Sequence, residues 1–226
     1  MNKKFWTGAM CILFIVPLFG VDKNRLADAT GVLTQVISSQ PGIPQTTLAK
    51  ALCVVVYPSV KKVGAGVGVT YGRGVLSCRS GLQANGAWSP PAMYTLDAGS
   101  IGPQFGGSST DYVLLVMTED AGDKILSGKL KLGTEAGAYL GSAGATTQAV
   151  NDASLGAQVL IYARPNGGVF AGASLGDASL KTDEKANRDL YGREITATEI
   201  VRDGKVAVPE AAQSFIAALP QSTKGD

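Results

Sequence analysis

The sequence predicts an α+β domain: a curled, mostly antiparallel, glycine-rich sheet or partial barrel, flanked by helices at its N- and C-termini. Three observations predict it. Residues 23–39 carry apolar residues at helical spacing, and the tail beyond 183 also reads as helical. Residues 52–117, by contrast, form a series of short valine- or glycine-rich runs separated by turn residues, the pattern of antiparallel strands. Glycine also recurs every two or three positions in strand-like context, in GAGVGVTYGRG (64–74), GSIGPQFGG (99–107), GTEAGAYLGSAG (133–144) and GGVFAGASLG (167–176). An isolated glycine weakens a strand, so repetition implies bulges, tight bends or close backbone approach, as a strongly curled sheet needs.

The elements follow in chain order. Leu26, Ala29, Leu33, Val36 and Ile37 lie on one face of a helix over 23–39, which Ser39, Gln40, Pro41 and Gly42 end. Pro44 is a favourable first-turn residue for a short helix to about Ala51. Strands are expected at 52–57, 63–71, 73–79, 92–97, 100–107 and 111–117. A helix at about 119–127 opens on Glu119 and Asp120, since acids suit a helix N-terminus. Strands resume at 129–143, 157–164 and 168–180, with Asn166-Gly167 as a hairpin turn signal. The tail reads as helices at about 183–191, 196–202 and 209–219.

Residues 1–20 read as a cleavable secretory signal, leaving a single domain over 21–226. Lys3 and Lys4 precede an uncharged run from Phe5 to Gly20, which is short for the roughly 20 apolar residues that span a bilayer. Pro17 and Gly20 break the run near a cleavage point at Gly20–Val21; an uncleaved anchor is the alternative. Met10 before Cys11 is not the small residue that lipidation sites carry. The expected location is therefore exported: periplasmic, or peripheral on an envelope membrane. There Cys53 and Cys78 can pair, or they are two buried small hydrophobes, Cys53 lying within the apolar run ALCVVVYP (51–58).

Composition excludes several function classes. The chain contains no histidine, which removes histidine-based triads and most zinc sites. GAGVG lacks G-x-G-x-x-G spacing and continues as strand, and no phosphate loop or G-x-S-x-G string occurs. No catalytic residue, metal or cofactor is expected. An outer-membrane barrel fits poorly, because several strands are short and aromatic residues are few. The chain has 20 basic and 18 acidic residues, and loss of Lys3 and Lys4 leaves 18 of each. Overall charge therefore gives no reason to expect nucleic acid.

Charge is uneven, however. No acid lies between Asp28 and Asp97, while Lys50, Lys61, Lys62, Arg73 and Arg79 all do. Either these cations balance the acidic tail, or they form a basic face for phospholipid head groups, each worth about 1 kcal/mol near an anionic surface. In the second case Trp88 and Tyr94 are candidate interfacial rings, core positions being the alternative for both.

Several strings then point the same way. YPSVKKVGAGVGVTYGRGVLSCRSG (57–81), WSPPAMYTL (88–96), GSIGPQFGGSSTDYVLLVM (99–117), YARPNGGVFAGASLGDASL (162–180) and DEKANRDLYG (183–192) resemble, in order, the SYLF family, also named for yeast actin regulators. The chain resembles an exported, bacterial member. The resemblance implies a lipid-binding module rather than an enzyme. Eukaryotic relatives bind phosphoinositides and some bind actin filaments, but actin is not expected as a partner of an exported chain. It implies Lys61, Lys62 and Arg73 as head-group contacts, and Asp111, Asn187 and Tyr191 as polar contacts that hold the fold. A scaffold that recognises an envelope protein, or a carrier holding one lipid within the sheet, are the alternatives.

Overall fold

The structure, a computed structural model, describes residues 21–39, 42–83, 85–132, 138–141, 158–168, 175 and 178–220. The expected leader therefore lies outside the described residues, as do parts of the expected strands at 129–143 and 168–180. Helix α1 (Val21–Ser38) and the short α2 (Gln45–Lys50) precede two long strands, β1 (Cys53–Cys78) and β2 (Ala92–Val116). Then come α3 (Glu119–Leu126), β3 (Ala138–Gly141), β4 (Val159–Gly168), β5 (Ser179–Thr182), α4 (Glu184–Tyr191), α5 (Ala197–Val201) and α6 (Gln213–Ala218). The five strands form one open sheet in the order β1-β2-β4-β3, with β5 on the other part of β2. Every pairing is antiparallel except β3 with β4. The α+β class and the flanking helices are as the sequence predicts, and the sheet does not close into a barrel.

The six expected strands between 52 and 117 are two. β1 and β2 form a hairpin of about 25 residues a side, paired from Cys53↔Val116 to Leu76↔Ala92. Pro58-Ser59 is a bulge in β1, where the register shifts between Tyr57 and Val60; Gly66 lies at a second shift, between Ala65 and Val67, whose two extra residues are on β2 between Ile101 and Phe105. Ser59 and Gly66 have φ of 48° and 82°, so each bends the strand without ending it. The hairpin thereby folds back on itself. Its first and last β1 residues are joined by the Cys53–Cys78 disulfide, and Arg79 N–H donates to Leu52 O at 2.7 Å. Glycine permits this approach. A Cβ on Gly74 would sit 2.4 Å from Tyr57 Cδ1, and one on Gly72 would sit 2.7 Å from Val60 Cγ2.

Both faces of the folded ribbon are covered where its ends meet, so Cys53–Tyr57 is buried without alternation. One face, with Val54, Val56, Val75, Met93, Val113 and Leu115, packs on α1, α4 and α6 through Leu26, Leu33, Ala186 and Phe215. The other, with Tyr57, Leu76, Tyr94, Leu96 and Leu114, turns inward against α3 and α5 through Ile125 and Ile200. Polar contacts tie strands to helices. Asn187, fully buried, accepts from Met93 N–H at 2.7 Å, and Tyr191 O–H donates to Pro91 O at 2.6 Å. Buried Asp111 accepts from Ser59 N–H and from Asn166 Nδ2 and pairs with Arg164. That last cluster explains why β4 runs straight through Asn166-Gly167: a tertiary hydrogen bond holds the asparagine in the strand, against its local turn preference.

Candidate functional site

The one-residue bulge at Pro58-Ser59 reverses which side chains face which way. Before it, odd-numbered β1 residues point into the inner core; after it, they lie on the face that α1 covers elsewhere. The second shift, opposite Gly66, moves the register by two residues and so preserves the phase. Lys61, Val63, Ala65, Val67, Val69, Tyr71 and Arg73 consequently share one face, which α1 borders at Lys61, Tyr71 and Arg73 without covering it, and all are exposed. Val63, Val67, Val69 and Tyr71 retain 58, 62, 55 and 46% exposure, and they are the large hydrophobic side chains left exposed among the described residues. A continuous apolar stripe with a cation at each end marks an interaction surface rather than a scatter of single apolar residues.

The fold-back brings the two cations together although 12 positions separate them. Val60 touches the Cα side of Gly72, so their neighbours Lys61 and Arg73 line one groove of about 540 Å³. The N-terminal turns of α1 supply its other wall, with Asn24, Arg25 and Asp28, and Ser59 and Tyr71 complete it. Arg25 is committed to Asp183 at 2.9 Å, and Lys61 Nζ donates to Ser109 Oγ at 3.0 Å. Asp28 and Arg73 take part in no ion pair among the described residues.

The structure therefore divides the residues singled out in the sequence. Lys61 and Arg73 come together. Lys62 is half-buried on the opposite face of the strand, and Lys50 is exposed at the end of α2, by the disulfide-linked end of the ribbon. Arg79 is not on the surface at all: it is 1% exposed. Its guanidinium donates to Ala51 O, Gly86 O and Pro220 O and lies 4.3 Å over the Trp88 ring. Trp88 is half-buried and donates from Nε1 to the same Pro220 O at 2.7 Å, fastening the C-terminal segment. Tyr94 is fully buried, donates to Ile125 O at 3.2 Å, and has its hydroxyl pKa pushed up to about 12 by burial. Tyr94 is thus a core residue, the alternative the sequence also offered, while Trp88 packs against the core and keeps part of its ring exposed.

Sequence reasoning missed the valine stripe and Asp28. The signal for the stripe was present: from 64 to 72 the even positions are Gly, Gly, Gly, Thr and Gly, leaving valine, alanine and tyrosine to the other face. Among the described residues no helix is long and apolar enough to cross a membrane, and no group of His, Cys, Asp and Glu is placed to hold a metal ion.

Residues 97–222 match the family model Ysc84, described as Las17-binding protein actin regulator. An SH3 domain-containing protein of Schizosaccharomyces pombe is 30% identical over 212 residues, which is 90% of this chain and 48% of that protein. LAS seventeen-binding protein 3 of Saccharomyces cerevisiae is 28% identical over 189 residues, 82% of this chain and 40% of that protein. The chain thus spans about half the length, or less, of these relatives.

Proposed function

The chain belongs to the Ysc84 family, the one its signature strings resemble, and on that premise we propose that it binds phospholipid at a membrane surface without catalysis. The observation that carries the reading is the exposed stripe Val63–Val67–Val69–Tyr71 with Lys61 and Arg73 at its ends. Full burial of such a side chain is worth about 1.5–3 kcal/mol. With roughly half of each side chain still to be covered, the four contribute about 4 kcal/mol, against about 2 kcal/mol for two cations near an anionic surface. Apolar contact therefore dominates, and charge sets orientation. The leader-like segment and the Cys53–Cys78 disulfide both suit an oxidising compartment, which supports a reading in which the membrane is met from outside the cytoplasm. The interior between the limbs of the ribbon is filled by Tyr57, Leu76, Tyr94 and Leu114, which favours a surface binder over a carrier of internal lipid.

Co-sedimentation with vesicles of mixed phosphatidylethanolamine and phosphatidylglycerol tests this. Val67→Glu should abolish binding, and Lys61→Glu/Arg73→Glu should weaken it by at least about 30-fold and flatten its salt dependence. Wild-type binding by both variants would sink the reading. A second reading, recognition of a protein partner, is favoured by the description of the family and the name of its yeast relative, both of which refer to Las17 binding. Retention of one specific protein from lipid-free extract, unaffected by Val67→Glu, would favour that alternative.

A further inference from the structure

The groove beside the stripe has a charge arrangement that a simple basic patch lacks. Its ribbon wall carries Lys61 and Arg73; its helix wall carries Asp28, and neither Asp28 nor Arg73 is in an ion pair among the described residues. Arg25, the other cation of the helix wall, is already neutralised by Asp183. Two opposed cations and one carboxylate across a single groove match a ligand with a negative and a positive group a few bonds apart. The groove is also continuous with the membrane-facing surface, because Lys61, Tyr71 and Arg73 belong to both.

We propose that this groove is a headgroup site for a phosphoethanolamine-type zwitterion, the phosphate held by Lys61 and Arg73 and the primary ammonium by Asp28. The proposal rests on the membrane-surface reading and deepens it. A lipid whose acyl chains lie against Val67 and Val69 presents its headgroup at the mouth of the groove, whose volume of about 540 Å³ lies within the usual range for small-ligand sites. Its phosphate meets cations that have no carboxylate partner, and Ser59 and Asn24 offer neutral polar groups beside it. The Asp28 carboxylate then selects. A primary ammonium can donate charge-assisted hydrogen bonds to it, whereas a quaternary ammonium has no N–H to give. A headgroup with negative charge alone is repelled by it.

The test uses the purified protein, expressed with its own leader and with its N-terminus determined by mass spectrometry. Binding is measured to phosphatidylcholine vesicles and to vesicles in which a fixed fraction is replaced by phosphatidylethanolamine or by phosphatidylglycerol. Wild type should prefer phosphatidylethanolamine over phosphatidylcholine by roughly tenfold, the scale of one charge-assisted hydrogen bond. Phosphatidylethanolamine also loosens vesicle packing, so the decisive comparison is Asp28→Asn, an exposed change whose fold is checked by thermal melting. That variant should lose the preference and gain binding to phosphatidylglycerol. An unchanged preference in Asp28→Asn, or none in wild type, overturns the zwitterion site, while loss of all vesicle binding in Val67→Glu would still uphold the surface reading. Free phosphoethanolamine and inorganic phosphate serve as competitors. Displacement by phosphoethanolamine alone supports the site and shows that it also takes the soluble headgroup. Equal displacement by both reduces it to an anion site and overturns the proposal.

Discussion

Arg73 and Arg79 stand six positions apart and have opposite fates. Arg73 reaches solvent at the groove, while Arg79 closes three backbone carbonyls from three separate segments and stacks on Trp88. Burial lowers the pKa of Arg79, yet a guanidinium stays charged at any physiological pH, so its hydrogen bonds persist. Lysine cannot reproduce that planar fork. Arg79→Lys should leave at least one buried carbonyl without a donor and cost about 2–3 kcal/mol. In a chain of this size that is a fall in Tm of roughly 5–10 °C by scanning calorimetry. Arg73→Lys, on the surface, should fall within about 0.5 kcal/mol of wild type. Equal Tm values for the two variants would show that Arg79 does not hold the segments together.

Among the elements, the helices obey local rules and the strands do not. α3 begins at Thr118, whose side chain accepts from Ala121 N–H, with Glu119 and Asp120 in its first turn. α5 has a reciprocal capping box: Glu199 N–H donates to Thr196 Oγ1 at 3.2 Å, and Thr196 N–H donates back to Glu199 Oε2 at 3.0 Å. The Thr196 N–H, and after it the Lys205 ammonium, hold the Glu199 carboxyl down at about 2. Because the folded pKa lies below the ordinary value of 4.5, the contribution of the carboxylate is fully present above about pH 4.5 and is lost as pH falls toward 2. The α5 amides should therefore lose protection, measured against the intrinsic exchange rate at each pH, as pH falls through that window in wild type, whereas Glu199→Gln should show pH-independent protection there. Matching profiles would rule out the titration of this cap as the cause. The strands, in contrast, pass through Pro58, Gly66 and Asn166 because partners distant in sequence hold them.

At the scale of the molecule, the decisive feature is the fold-back of the β1–β2 ribbon. It buries Tyr57 and Tyr94 between its limbs, sets Lys61 beside Arg73, and leaves the middle of β1 uncovered by any helix among the described residues. The Cys53–Cys78 disulfide joins the two ends of β1 across 25 positions, which in a chain-entropy account stabilises the fold by about 3 kcal/mol. Cys53→Ser/Cys78→Ser should lower the urea midpoint accordingly with little change in slope, and the reduced wild type should match the variant. A midpoint shift equivalent to under about 1 kcal/mol would mean that close packing at Gly72 and Gly74, rather than the cross-link, keeps the ribbon closed.

The sequence by itself determined the α+β class, the helix positions, the acidic first turn at Glu119-Asp120, the apolar run 52–57 and the glycine-dependent curl. All of these rest on interactions within a few residues, such as helical periodicity, acids at a helix N-terminus and the missing Cβ. The family was legible too, in strings that survive as words. Tertiary structure alone decided which cations are surface and which are core, because Arg73 and Arg79 look alike until the chain folds back over one of them. It also decided the face of the valine stripe, since a single bulged residue at Ser59 sets the phase of every side chain from Lys61 to Arg73. Asp28 joined the groove only through the docking of α1 on a strand more than 30 positions away, a relation no local pattern encodes.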